Sequence, residues 1–158
     1  MYRIGFAKDI HELVENRKLI LGGIIIPYEK GEKAHSDGDV LFHALSEAIL
    51  GALALGDLGT HFPDNDDKYL NYDSSKILLE VRDMMLEKGY DISNIDISVV
   101  LERPKLKDYI LDIRKNVASL LKIDLDQISI KAGTNEKMDA IGQGLAIEAN
   151  AIVLLKRK

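Results

Sequence analysis

Apolar residues in this chain switch between a spacing of two and a spacing of three to four, which restricts the fold to a sheet with helices laid against it. From Asp37 to Leu55, the residues Leu41, Ala44, Leu45, Ala48 and Ile49 keep helical spacing, and Gly56 supplies a stop. Ser74 opens a second predicted helix through Ile77, Leu78, Val81, Met84 and Met85, ending at Lys88-Gly89, and Leu106 to Leu121 reads as a third. The remaining apolar runs read as strands: the opening segment through Asp9-Ile10-His11, then Ile92 to Leu101, Ile128 to Ala132 and Leu145 to Leu155. Lys18 to Pro27 reads as a tight hairpin, with Gly22-Gly23 between two short Ile/Leu runs. Asp57 to Tyr72 reads as a loop dense in Asp, Gly and Asn. The expected architecture is an α/β or α+β sheet with helices packed on one face.

Length and composition narrow the function classes. A chain of 158 residues is expected to form one domain, residues 1–158, burying about 70% of its unfolded surface. The net charge of −5 argues against a nucleic-acid or anionic-membrane surface. No apolar run approaches the ~20 residues of a membrane span, and Met1-Tyr2-Arg3-Ile4-Gly5 shows no targeting pattern, so a cytoplasmic protein is expected. Without cysteine, any metal must sit on His, Asp or Glu.

All 4 histidines, at positions 11, 35, 43 and 61, lie in the first 61 residues. Residues two apart on a strand share a face, so Asp9 and His11 present a carboxylate and an imidazole side by side. A helix beginning near Asp37 holds His43 two turns in as a third donor. Two imidazoles and a carboxylate suit a zinc ion with one open position. Ser36 or Asp37 is a good N-cap for that helix, and Asp39, four residues before His43, is placed either to orient its ring or simply to suit the helix N-terminus. His35 and Ser36 lie where free N–H groups favour a phosphate. His61 reads as a loop residue beside the site. Farther on, Lys131-Ala132-Gly133-Thr134-Asn135-Glu136-Lys137 leaves a strand with backbone N–H groups and a hydroxyl for phosphates and a carboxylate for Mg²⁺. A phosphohydrolase or a non-catalytic metal- or nucleotide-binding module could carry the same groups.

Asp9-x-His11, His35-Ser36-Asp37-x-Asp39-Val40-x-x-His43, Gly56-Asp57-x-Gly59-x-His61-Phe62-Pro63-Asp64, Arg103-Pro104-Lys105 and Lys131-Ala132-x-Thr134-x-Glu136-Lys137 occur in one order. With these motifs the chain, from Arg3 to about Leu155, resembles the 2-C-methyl-D-erythritol 2,4-cyclodiphosphate synthase family of the non-mevalonate isoprenoid pathway. The resemblance implies an α+β fold: a ferredoxin-like mixed sheet with helices packed on one face, plus a small N-terminal hairpin. It implies cyclisation of 4-diphosphocytidyl-2-C-methyl-D-erythritol 2-phosphate with release of CMP, the 2-phosphate attacking the β-phosphorus. Zn²⁺ would sit on Asp9, His11 and His43, and Mg²⁺ or Mn²⁺ between substrate phosphates on Glu136. His35 and Thr134 would stabilise the charge on the transferring phosphorus, with Ser36 a phosphate contact. Asp57, Leu58, Gly59, Phe62, Asp64 and Asp66 would hold the methylerythritol part. Pro104 and Lys105 would form the cytidine pocket with Ala132, Gly133 and Asn135. A homotrimer is implied, with each active site at a subunit boundary.

The chain departs from the family pattern in places. Gly5-Phe6-Ala7-Lys8 replaces the usual Gly-His-Gly-Phe, which touches strand packing. Gly133 and Asn135 stand where threonine is common. Ala140 and Gln143 replace a Phe and an Arg of the trimer's central channel, so an isoprenoid diphosphate is expected to bind there weakly or not at all.

Overall fold

The computed structural model describes all residues from Met1 to Lys158. Five strands form one sheet in the order β4 (Lys30–Glu32), β1 (Tyr2–Glu15), β7 (Ala146–Arg157), β5 (Tyr90–Val100), β6 (Ile128–Gly133). Only the β5–β6 pair is parallel, so the sheet is mixed. Helices α1 (Val40–Ala52), α3 (Ser74–Glu87) and α4 (Ile110–Leu121) cover one face. Between sheet and helices 39 buried residues form one hydrophobic cluster. The α+β mixed sheet with helices on one face and a separate N-terminal hairpin is therefore as the sequence indicated.

Alternation along the strands decides which face meets the helices. On β7, Ile147, Ala149, Ala151, Val153 and Leu155 are buried, whereas on the other face Ile152 is exposed. On β1 the inward positions are small, at Gly5 and Ala7, and this lets α1 lie close. A Cβ placed on Gly5 would come within 1.9 Å of the Ala48 carbonyl oxygen. Helix α1 is buried almost all round; its half-buried His43 and Glu47 are one turn apart and share its polar edge.

The hairpin β2 (Leu19–Leu21) and β3 (Ile24–Ile26) turns through Gly22 and Gly23 at φ 55° and 77°, the left-handed pair that a tight two-residue hairpin turn demands. Its tip docks on α1 through Asp39. That carboxylate accepts the N–H groups of Gly22 at 3.0 Å, Gly23 at 2.8 Å and Phe42 at 3.1 Å. Asp39, not Ser36 or Asp37, is thus the N-cap of α1.

The acidic segment expected as a plain loop contains a short helix, α2 (Leu58–His61), and a 3₁₀ turn at Asp67–Tyr69. Its acids explain both: Asp57 caps α2 and Asp66 caps the 3₁₀ turn. Strand β4 and the short helix α5 (Asp139–Gly142) lie outside the predicted elements, and α4 begins at Ile110 rather than Leu106.

Candidate metal centre and substrate clefts

Asp9 and His11 point from β1 toward α1, where His43 faces them. Asp9 Oδ2 lies 3.0 Å from His11 Nε2 and 3.5 Å from His43 Nδ1, and the two ring nitrogens are 3.4 Å apart. These donor atoms all fall within 4.8 Å of one another, so the three residues form a possible metal-binding group. The hydrogen bonds behind the rings fit that use. His11 Nδ1 is 2.8 Å from the Gly38 carbonyl, which only accepts, so Nδ1 carries the hydrogen and Nε2 turns its lone pair inward. His43 Nε2 is 2.8 Å from Ser74 Oγ and 3.2 Å from Ser36 Oγ. Asp39 makes no hydrogen bond to the His43 ring; its carboxylate is taken by the three N–H groups of the hairpin and helix.

The group opens into a cleft of about 380 Å³ that also takes in His35, Ser36, Leu58, Gly59, Phe62 and Asp64 from the sequence reading. Lys33, Glu47, Tyr69 and Ile77 line it too and carried no signal in the sequence. His35 Nε2 is 3.1 Å from the Asp66 carbonyl. Asp57 and Asp66 themselves are absent from the lining. The Asp57 carboxylate accepts Thr60 N–H at 2.9 Å and its hydroxyl at 2.6 Å, and Asp66 accepts Lys68 N–H at 3.0 Å. His61 Nε2 donates to the Leu55 carbonyl oxygen, 2.9 Å away, and does not line the cleft.

A second cleft, of about 530 Å³, lies at the other edge of the helical face and is lined by Leu101, Pro104, Lys105, Leu106, Ala132, Gly133 and Thr134, among others. Asn135 donates to Asp139 at 2.9 Å, and Glu136 donates its N–H to Thr134 Oγ1 at 3.2 Å; neither lines this cleft. The sheet register puts Asp9, Ala149, Val99 and Ala132 in one row across β1, β7, β5 and β6. Three strand spacings therefore separate the two clefts, about 14 Å. Within one chain they do not merge.

Electrostatics follow from burial and pairing. Burial opposes charge on Asp9, yet hydrogen bonds and charge from His11 and His43 overcome it and hold the carboxyl well below the usual range. Burial likewise opposes charge on His11, but the Asp9 carboxylate and the Gly38 carbonyl raise its affinity for a proton. Beneath the group, Glu32 is fully buried; burial and the nearby Asp39 charge raise its pKa strongly. Burial pushes Asp39 up to about 6, against the pull of the Gly23 and Phe42 N–H groups.

These shifts give a stability profile for the metal-free protein. Groups raised in the folded state (His11, Glu32, Asp39) stabilise at low pH, and that contribution is lost as pH rises through their folded pKa. Asp9, depressed when folded, stabilises above the ordinary carboxylate range and loses this on acidification. Urea unfolding should therefore show stability rising from about pH 8 to pH 5, by roughly 1–2 kcal/mol from Asp39 alone, and falling below about pH 4. A flat profile across this range would contradict the assigned burial.

Two histidines and one carboxylate converging at the mouth of a cleft in an α+β protein form a donor set that could hold a divalent ion with a coordination position left for a ligand. A family model described as the YgbB family matches residues 2–156. The 2-C-methyl-D-erythritol 2,4-cyclodiphosphate synthase of Brachyspira hyodysenteriae is 55% identical over 155 residues, covering 98% of both chains. That of Fusobacterium nucleatum is 48% identical over 158 residues, covering 100% of this chain and 99% of the relative. A bifunctional protein from Campylobacter jejuni superposes with a TM-score of 0.96 at 42% identity; this chain is covered completely and spans 43% of that longer one. A Plasmodium falciparum structure in complex with CDP gives 0.87 at 40% identity, over 99% of this chain and 97% of the other. The chain belongs to the YgbB family, the 2-C-methyl-D-erythritol 2,4-cyclodiphosphate synthases.

Proposed function

We infer that the chain converts 4-diphosphocytidyl-2-C-methyl-D-erythritol 2-phosphate to 2-C-methyl-D-erythritol 2,4-cyclodiphosphate and CMP. A 2-phosphate oxygen attacks the β-phosphorus, and the bond from that phosphorus to the oxygen bridging it to the α-phosphorus breaks. CMP leaves with the bridging oxygen, so no water is consumed. The observation that carries this reading is the Asp9–His11–His43 group opening into the same cleft as His35 and Ser36.

Asp9, His11 and His43 would hold Zn²⁺, which the all-N,O donor set and the free position suit. Bound there it would act as a Lewis acid toward a phosphate oxygen. His35 and Ser36 lie beside it to donate to phosphate oxygens. Thr134 accepts the Glu136 N–H, which leaves its hydroxyl proton for a phosphate oxygen. The exposed Glu136 carboxylate, engaged by no hydrogen bond or ion pair, would help hold Mg²⁺ or Mn²⁺ between the phosphates. Leu58, Gly59, Phe62 and Asp64, with Asp57 and Asp66 of the same segment, would hold the methylerythritol part. Pro104, Lys105, Ala132 and Gly133, with Asn135 alongside, would hold the cytidine. Such a reaction needs positioning and charge neutralisation more than a protein nucleophile.

We also propose that the protein is a homotrimer whose active sites form between subunits, the nucleotide cleft of one meeting the metal centre of the next. The separation of the clefts supports this. So does the uncovered sheet face, where Ile4, Phe6, Ile10 and Ile152 are 71%, 62%, 49% and 44% exposed. Replacing Phe6 by Glu on that face should convert a trimer to monomers in sedimentation velocity; a monomeric unsubstituted protein would sink the assembly. A cytoplasmic enzyme acting on a small nucleotide fits the net charge and the lack of any helix long and apolar enough to cross a membrane.

The direct assay incubates purified protein with the cytidine substrate and Mg²⁺ and follows CMP by chromatography. CMP should appear, vanish after chelator dialysis and return on adding zinc. CMP release unaffected by complete zinc removal would refute the assignment of the metal centre.

A further inference from the structure

We propose that Ser74, held by Asp37, is a positioning residue that fixes the tautomer of His43; the proposal rests on the reading of Asp9, His11 and His43 as a metal centre. Ser74 is the first residue of α3, 31 positions from His43, and is fully buried. Its hydroxyl lies between two partners, His43 Nε2 at 2.8 Å and Asp37 Oδ1 at 2.5 Å. Asp37 is clamped in turn. Its Oδ2 accepts the Ser74 N–H at 3.0 Å, its Oδ1 accepts the Asp39 N–H at 3.1 Å, and its own N–H donates to the Tyr72 carbonyl at 3.0 Å.

Hydrogen-bond bookkeeping then leaves one solution. An ionised carboxylate only accepts, so the single hydroxyl proton of Ser74 goes to Asp37. The oxygen can then only accept from His43, so Nε2 must carry the ring hydrogen. Nδ1 is left with its lone pair, and Nδ1 is the atom that faces Asp9 Oδ2 and His11 Nε2. Ser36 Oγ, 3.2 Å from the same Nε2, also accepts the Gly38 N–H at 3.2 Å and does not compel either tautomer. The Ser36–Gly38 loop thus sets both rings: His11 by the Gly38 carbonyl, His43 by Asp37 through Ser74. Only the second of these can be removed by a side-chain substitution.

The test uses the full chain with zinc alone, in Ser74→Ala and in the near-isosteric Asp37→Asn, whose amide can donate to Ser74 and free the hydroxyl proton to turn toward His43. Zinc affinity is read by chelator competition, and the His43 tautomer by long-range ¹H–¹⁵N NMR of the metal-free protein above the imidazole titration range. The unsubstituted protein should hold its proton on Nε2. Ser74→Ala should show mixed tautomers and an affinity lowered by about 10–100-fold, and Asp37→Asn should shift both readouts in the same direction. Should Ser74→Ala not fold, Asp37→Asn is read by the same criteria. Unchanged affinity, or a loss of affinity with the tautomer unchanged, would overturn the proposal. An unsubstituted protein that binds no zinc, or a His43→Ala variant that binds it normally, would instead overturn the metal centre itself.

Discussion

Replacing His43 by alanine should remove zinc retention and CMP release together. The residue supplies one of three converging donors, and Asp9 and His11 alone leave two protein ligands on one strand with nothing facing them from α1. The loss should exceed the ~100-fold upper end seen when only an orienting partner of a metal ligand is removed. His43 is half-buried on the polar edge of α1 while the helix's apolar residues are untouched, so the variant should still fold. Metal content after gel filtration, measured beside the CMP assay, checks both halves. A variant retaining stoichiometric zinc would show that the donors lie elsewhere.

Gly5→Val on β1 should be strongly destabilising. The added Cβ meets the Ala48 oxygen at 1.9 Å and both the Ala48 carbon and the Ala52 nitrogen at 2.9 Å, all rigid helix backbone. Helix α1 must lift off the sheet, an overpacking that should cost about 3 kcal/mol or more and lower Tm by roughly 6–12 °C. Because α1 carries His43 and β1 carries Asp9 and His11, zinc affinity should fall with it. Gly51→Ala in the same helix is the control. Its Cβ meets nothing within 4 Å, so thermal melting should show it neutral or stabilised by up to about 1 kcal/mol. Equal losses in the two variants would show that the close approach at Gly5 does not hold the helix.

Where the fold was legible in the sequence, a strong local period was at work. Helices α1 and α3 and the Gly22-Gly23 hairpin each follow from apolar spacing with a matching stop or turn. Strand β4 does not: Lys30-Gly31-Glu32 has no alternating apolar face, and its pairing with β1 is set by tertiary contact. The start of α4 was missed because the apolar period runs back to Leu106, into a turn that precedes the helix. The convergence of Asp9, His11 and His43 was readable because Asp9 and His11 share a strand face and His43 sits early in a well-marked helix. Asp39 was open to two readings because its spacing from His43 suits a side-chain pair as well as a helix start. The free N–H groups of Phe42, Gly22 and Gly23 claim it, and two of these come from a hairpin 16 to 17 residues away in sequence. Ser74 carried only the look of a helix start, since its link to His43 depends on how α3 packs against α1. Likewise the distance between the two clefts is a property of strand order, which no spacing along the chain encodes.

Attack by the substrate's own phosphate, rather than by water, can be read out by running the reaction in ¹⁸O-enriched water. CMP and a cyclic diphosphate should form in equal amounts, neither carrying ¹⁸O by mass spectrometry, because the 2-phosphate oxygen is the nucleophile. Incorporation of ¹⁸O into a phosphate-containing product, with no cyclic diphosphate formed, would mean that water attacks and that the site is a hydrolase.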